Sequence, residues 1–424
     1  MRRSLAFLLM LSLLSGQLFS AAARSTAAAE PDCQPITVPP VYEDTVALTL
    51  RACLDLGVKQ NEVAGLVDVS ITYEVQRGPR TGVRSVLFQL DGHELLTDFD
   101  EPFQFHWETR RWPDGEHRFT AKARLRNGDV ATASTKIELA NKNKPPPPVP
   151  AFTVPTVASK ADPPIVLAAV GDGPDGGSAA DAVGDLIASW DPQLLLYLGD
   201  VYEHGLPDEF ANWYEDAFGS LRKITLPAPG NHELQEGEAE GYFGYWGNPP
   251  PYYSSDAGNW HLIELNSSTS TREVSPGSEQ YEWLVGELAA HADACTIVFF
   301  HHPVFSIGPQ GDTERMSEVW QMLADAGVEI VLTGHDHDYQ RWQPLDASGN
   351  PDDTGTTQFV VGTGGHGIQA FDSDDARVVT GVDDTGAYGA LRLQLYPDQA
   401  KFAFITINGK IRDRGTIPCE KGGT

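Results

Sequence analysis

The sequence predicts a multidomain chain, a small antiparallel β-sandwich followed by a layered α/β domain. Three features predict it. Short segments alternating polar and apolar residues fill roughly the first third of the chain. A run of four prolines, Pro145 to Pro148, then interrupts the sequence. After it come apolar runs that stop abruptly at Asp, Asn or His.

The first part contains VSITYEV, VRSVLFQLDG, PFQFHWET, HRFTAKARLRNG and ATASTKIELA. Each alternates with the period of two that buries one face of a strand. The pairs Asp91-Gly92, Asp114-Gly115 and Asn127-Gly128 supply turn chemistry between them. Trp107 and Trp112 are expected in the core of this sandwich. His93, His106 and His117 lack ligand-like spacing and are expected to be ordinary strand or surface histidines. The segment NKNKPPPPVP is a stiff polyproline spacer that cannot join a sheet interior. The resulting boundaries are 33–140 for the sandwich, 141–163 for the linker and 164–424 for the α/β domain.

Beyond the linker, PIVLAAVGDG, PQLLLYLGDVY, ACTIVFFHHPVF and VEIVLTGHDHD are apolar throughout. That pattern fits strands covered on both faces. Helical periodicity lies between them, over 179–189, 279–291 and 313–326, so the domain reads as strand–helix units.

The chain has 424 residues and a formal net charge of −29, which argues against a nucleic-acid or anionic-membrane surface. A phosphate-bearing ligand would need a local positive centre, which bound metal ions provide. MRRSLAFLLMLSLLSGQLFSAAA has the charged start, short apolar stretch and small-residue end of a signal peptide over 1–23. Its Arg2-Arg3 pair also permits twin-arginine export. No second run of membrane-spanning length follows, so the mature protein is expected to be secreted, periplasmic or at the cell surface, without an integral membrane segment. Export favours disulfides. The four cysteines are expected to pair as Cys33–Cys53 and Cys295–Cys419.

The chemistry-bearing residues share one design. Asp172, Asp200, Asn231 with His232, His301 with His302, and His335 with His337 each break or follow an apolar run, often after glycine. Open α/β sheets place their sites beyond such strand ends. His335 and His337, two apart in extended chain, would face one spot. Carboxylate, amide and imidazole together suit borderline divalent or trivalent ions.

These blocks, GDG at Asp172, GD at Asp200, GNHE at 230–233, HHP at 301–303 and GHDH at 334–337, resemble those of the calcineurin-like metallophosphoesterases. Within that family they look most like the purple acid phosphatase branch. Residues 85–140 resemble bacterial immunoglobulin-like (Ig-like) domains in pattern. The first resemblance implies a four-layer α/β domain, two packed sheets flanked by helices, holding two metal ions drawn from Fe, Zn or Mn. It implies that Asp200 bridges them, with Asp172 and His337 on one and Asn231, His301 and His335 on the other. His232 would act on the leaving group, while Glu233 and His302 would support the ligands. The branch carries a tyrosine ligand three residues after the bridging aspartate. Here that place is Glu203 and the tyrosine is Tyr202, which either ligates from a shortened loop or only lines the site. His204 and His366 are candidate substrate contacts, and Arg341 is the one arginine close to a motif. Trp246, Tyr252 and Tyr253 are expected to pack a loop.

The implied function is an exported phosphoesterase acting on small phosphate monoesters through metal-bound hydroxide. A phosphodiesterase acting on nucleotides, phospholipids or wall polymers is the first alternative. A non-catalytic surface-binding protein is the second. The Ig-like domain would serve as a spacer or as the contact with the cell surface.

Overall fold

A computed structural model describes residues 32–38, 48–55, 62–77, 82–99, 101–158, 164–234, 239–268, 274–419 and 421. The expected signal peptide lies outside them. Among the described residues the N-terminal part forms two sheets. One orders the strands Asp32–Val38, Leu48–Asp55, Leu66–Arg77 and Gln104–Glu108; the other orders Glu62–Val63, Val130–Leu139, Gly115–Leu125, Val83–Leu90 and His93–Asp98. Alternate residues of both sheets, among them Val69, Phe88, Phe105, Trp107, Phe119 and Ala133, close one core. Trp107 is fully buried and Trp112 packs against its edge, as the alternation predicts. The strand register sets Cys33 opposite Cys53, although their side chains lie outside the described part.

The C-terminal part is four layers deep. A six-stranded sheet carries Thr225–Pro227, Leu194–Tyr197, Ile165–Val170, Gly389–Tyr396, Gln399–Thr406 and Ile411–Pro418 in that order. A seven-stranded sheet carries Tyr253–Ala257, Trp260–Glu264, Cys295–Phe299, Ile330–Thr333, Thr357–Val361, Tyr339–Trp342 and Val378–Val382. Neighbouring residues of one strand face different layers. Leu167 and Ala169 enter the core between the sheets, while Ala168 and Val170 meet the helix Ser178–Ala188. Both faces are therefore covered, which is why the strand reads as a continuous apolar run. The helices Glu279–Ala290 and Ser317–Asp325 cover the second sheet. The disulfide Cys295–Cys419 joins the start of a strand in one sheet to the end of the last strand in the other.

The linker segment becomes part of this domain before residue 164. Phe152, Val154 and Val157 pack on the inter-sheet core, and the Phe152 and Val157 amides donate to Gly247 and Asp256. The sandwich is also fastened directly to the α/β domain. The His106 amide donates to Asn212 Oδ1 (2.7 Å), and Asn212 Nδ2 donates back to the His106 carbonyl (3.0 Å). One asparagine side chain thus satisfies an otherwise open sheet edge. Trp213 enters the sandwich core, and Arg111 pairs with Asp208 at 3.3 Å.

One core residue is out of keeping with its surroundings. Glu264 is buried, and neither carboxyl oxygen has a hydrogen-bond partner among the described residues. Burial pushes its pKa well above the usual carboxyl range. In the unfolded chain the group ionises near pH ~4.3. Above that pH the unfolded state loses the proton and the folded state keeps it, so Glu264 costs stability increasingly as pH rises towards its folded pKa. Glu264→Gln is therefore expected to raise the melting temperature relative to wild type more at pH 8 than at pH 4.5, by roughly 2–4 °C for each kcal/mol. Calorimetry checks it; a difference that does not grow with pH contradicts the assignment.

Candidate active site

The carboxyl ends of the parallel strands in the two sheets meet, and the loops beyond them carry all seven residues expected to bind metal. Asp172 follows Ile165–Val170, Asp200 follows Leu194–Tyr197, and Asn231 follows Thr225–Pro227. From the other sheet, His301 follows Cys295–Phe299, and His335 and His337 follow Ile330–Thr333. Asp172, Asp200 and His335 have left-handed backbone, with φ of 58°, 65° and 73°. Such φ costs about 1–2 kcal/mol for an L-residue outside glycine. The glycines in these motifs give room: a Cβ at Gly230 would lie 1.9 Å from Asp200 Oδ1, and one at Gly334 would lie 2.4 Å from Asp172 Oδ2.

His301 Nδ1 donates to the Leu198 carbonyl at 2.8 Å, which leaves Nε2 with its lone pair. That nitrogen lies 3.0 Å from Asn231 Oδ1, 3.1 Å from His335 Nδ1 and 3.1 Å from Asp200 Oδ2. His337 Nδ1 likewise donates to the Gly367 carbonyl at 3.0 Å and turns Nε2 inward, 2.9 Å from the Tyr202 hydroxyl. The Tyr202 hydroxyl donates to Asp172 Oδ1 at 2.8 Å and stands 3.2 Å from Asp200 Oδ2. Asp200 therefore faces both groups. Lone pairs of two carboxylates, an amide, three imidazoles and a phenol converge in a buried volume. The Tyr202 hydroxyl proton and the proton that His301 takes when no cation is bound cannot satisfy them all, whereas two cations can, so the donor set fits the metals its chemistry implies.

Packed together without cations, these groups shift one another's protonation. Burial raises Asp172 to about 7, opposed by the His301 charge and reinforced by Asp200. Burial acts against ionised Asp200 as well, yet the charge and hydrogen bond of His301 hold it far below the carboxylate range. Burial would lower His301, but Asp200 lifts it to about 9. Burial, then repulsion from His301, lowers His335 to about 3; burial, then His366, lowers His337 to about 4.

Supporting residues tie the loops together. Glu233 accepts from the amides of Gly230 (2.6 Å), Val201 (2.6 Å) and Asp200 (3.2 Å), linking two ligand loops. His302 Nδ1 meets Ser267 Oγ at 3.0 Å, while its ring packs on His335 with centroids 4.4 Å apart and a ring nitrogen lies within 4.8 Å of those of His301 and His335. His232 Nδ1 donates to the Glu203 carbonyl, and its Nε2 lies 3.9 Å from Asp200 Oδ2.

Several residues fall elsewhere than their sequence position implies. Arg341 does not serve the site; its guanidinium pairs with Asp413 at 2.6 and 3.1 Å and lies over the Phe402 ring. Arg315 is the arginine whose charge bears on His302 and His335, and no motif marks it. His204 turns towards Glu94 of the sandwich, 3.9 Å away. His366 does join the site. It stacks on Tyr202 with ring centroids 3.9 Å apart, and Asp175 holds its Nδ1 at 2.9 Å. Trp246 and Tyr253 are buried, but in the helix Glu240–Trp246 and the strand Tyr253–Ala257 rather than in a loop, while Tyr252 packs on Trp283.

Sequence comparison finds a known family over part of this chain. Residues 176–339 match the model of the calcineurin-like phosphoesterase family. Similar proteins include plant purple acid phosphatases. Arabidopsis thaliana purple acid phosphatase 18 is 34% identical over 122 residues, 27% of each chain. Human tartrate-resistant acid phosphatase type 5 is 27% identical over 238 residues, 46% of this chain and 73% of that one. The chain spans 27–47% of the length of the plant relatives. A purple acid phosphatase from yellow lupin (Lupinus luteus) seeds shares the fold, with a TM-score of 0.51 at 16% identity over 88% of this chain and 80% of that one.

Proposed function

We propose that the protein is an exported phosphoesterase that hydrolyses small phosphate monoesters at a binuclear metal centre. The observation that carries this reading is the convergence of Asp172, Tyr202 and His337 on one side of Asp200, and of Asn231, His301 and His335 on the other. Bound cations supply charge neutralisation for a phosphate and a water activated near neutral pH. They also give an acidic protein the positive centre that its substrate requires.

The chain's own residues do the rest. Asp200 contributes to both halves of the cluster. The backbone anchors of His301 and His337 fix their tautomers and ring orientation. His232, held through Nδ1 by the Glu203 carbonyl, delivers a proton from Nε2 to the departing oxygen. Glu233 holds the Asp200 and Asn231 loops in register.

The test compares p-nitrophenyl phosphate with its bis-ester on metal-loaded mature protein. A faster monoester rate is expected. A faster diester rate transfers the site to nucleotides, lipids or wall polymers, and no rate on either with metal bound rejects the reading.

The contacts of the Tyr202 hydroxyl favour ligation over mere lining. Iron-loaded protein is then expected to absorb in the visible through phenolate-to-iron charge transfer, and Tyr202→Phe to remove the band. An iron-containing but colourless wild type rejects Tyr202 as a ligand.

A further inference from the structure

We propose that His261, Glu287 and His291 form a second metal site, taking one zinc ion, at the end of the α/β domain remote from the catalytic cluster. Such an ion holds the fold together and takes no part in phosphoester hydrolysis.

His261 lies near the amino end of the strand Trp260–Glu264, whereas Ser267, beyond the carboxyl end of that strand, is the residue that meets His302. The same face of the strand continues in Ile263 and Leu265, which pack with Leu284 of the helix Glu279–Ala290. An imidazole only 4% exposed thus stands in line with apolar side chains. Its Nδ1 meets Oδ1 of Asp256, its partner across the hairpin, at 2.9 Å. With the proton on that nitrogen, Nε2 turns a lone pair on Glu287 Oε1, 3.0 Å away. Two lone pairs at that distance repel unless a proton or a cation lies between them.

A proton needs only one imidazole, and here there are two. Glu287 and His291 stand four residues apart on one helix face, and His291 Nδ1 lies 3.7 Å from the same Oε1. Donor atoms of the three residues lie within 4.8 Å of one another. The His291 amide already donates to the Glu287 carbonyl at 3.2 Å, so Nδ1, 3.0 Å from that oxygen, is not required there. The two rings stack, with 3.7 Å between centroids and 10° between planes. A shared ion must lie in both ring planes, so His291 turns out of the stack on binding; 38% exposed at the helix end, it has the room. Two imidazoles and a carboxylate are a zinc donor set, with water as the fourth ligand. Asp256, holding the far nitrogen of His261, is the outer partner that zinc-bound histidines keep. Its side chain is 64% exposed, so the ion enters from solvent.

The ion ties the end of the helix to the hairpin that forms the edge of the seven-stranded sheet. That hairpin also seats the linker: the Val157 amide donates to the Asp256 carbonyl at 2.8 Å, and the Ser255 hydroxyl donates to the Pro155 carbonyl.

The experiment uses the full mature chain, stripped with chelator and reloaded with zinc chloride. His261→Gln/His291→Gln is expected to retain about one zinc per chain fewer than wild type by elemental analysis, with p-nitrophenyl phosphate turnover unchanged. The zinc count is a difference, so it stands whatever the catalytic centre retains and even if neither protein turns the ester over. Zinc is also expected to raise the melting temperature of wild type by about 3 °C or more beyond its effect on the variant. Equal zinc contents, or equal rises, overturn the proposal and leave an ion-pair network between strand and helix. A zinc lost together with turnover belongs to the catalytic centre and overturns it as well. Should the double variant melt early without zinc, His291→Gln alone, at the exposed position, is titrated with zinc beside wild type. Binding of one equivalent weakened about tenfold or more supports the site, and superimposable titrations overturn it.

Discussion

Asp200→Asn is expected to lower p-nitrophenyl phosphate turnover about a thousandfold or more, a loss of about 4 kcal/mol in transition-state stabilisation, and to lower bound metal with it. The substitution is nearly isosteric, and Asn tolerates the left-handed backbone found at this position, so the fold should persist. What disappears is the negative charge. Asp200 Oδ2 faces His301 on one side and Tyr202 on the other, and a neutral amide cannot serve two cations. His232→Ala is the informative contrast. It removes no group from the Asp172–Asp200–His301 cluster, so metal should remain while turnover falls about 10²–10⁴-fold, the range of a lost acid–base group. Elemental analysis beside kinetics separates the two. Full metal occupancy with full activity in Asp200→Asn removes the bridging role, and an undiminished rate in His232→Ala removes the proton donor.

Loss of the Cys295–Cys419 disulfide is expected to have the largest effect on stability. The bond closes 124 residues of sequence and ties the two sheets of the α/β domain together. Cross-linking a loop of this length restricts the unfolded chain, and removing such bonds typically costs about 2–5 kcal/mol. A Cys295→Ser/Cys419→Ser variant should melt roughly 5–15 °C below wild type. Scanning calorimetry of the variant, and of wild type with and without reductant, checks this. A variant melting with oxidised wild type would mean that core packing alone holds the C-terminal strand.

The sequence made some parts of this molecule legible and hid others, for physical reasons. Runs such as IVLAAV announced strands because both faces are covered, and the polar residues that end them marked the site directly. Turn pairs and alternation placed most of the sandwich. The strand His93–Asp98, by contrast, falls between the segments VRSVLFQLDG and PFQFHWET and was not read as a strand, because its adjacent buried Leu95 and Leu96 break the alternation. Three-dimensional neighbours separated in the chain left no pattern to read. Arg341 stands next to a ligand motif in sequence, yet strand geometry sends it to Asp413. Arg315 and the Asp175–His366 pair reach the centre from loops without any motif. Tyr202 was ambiguous because its spacing from Asp200 is one residue short, and only the loop conformation decides where a phenol points. The sandwich read as a spacer because nothing in a linear sequence reveals that Asn212 and Trp213 grip it.

The left-handed backbone at Asp172, Asp200 and His335 has an evolutionary consequence. At most positions, selection for a robust fold and selection for a working enzyme favour similar residues. At these three they diverge. Glycine would relieve the backbone, and it would also delete the side chain on which the chemistry depends. A lineage relieved of its catalytic duty should therefore drift first at these corners, with the sheets behind them left intact. Such a descendant would keep the architecture and lose the trade.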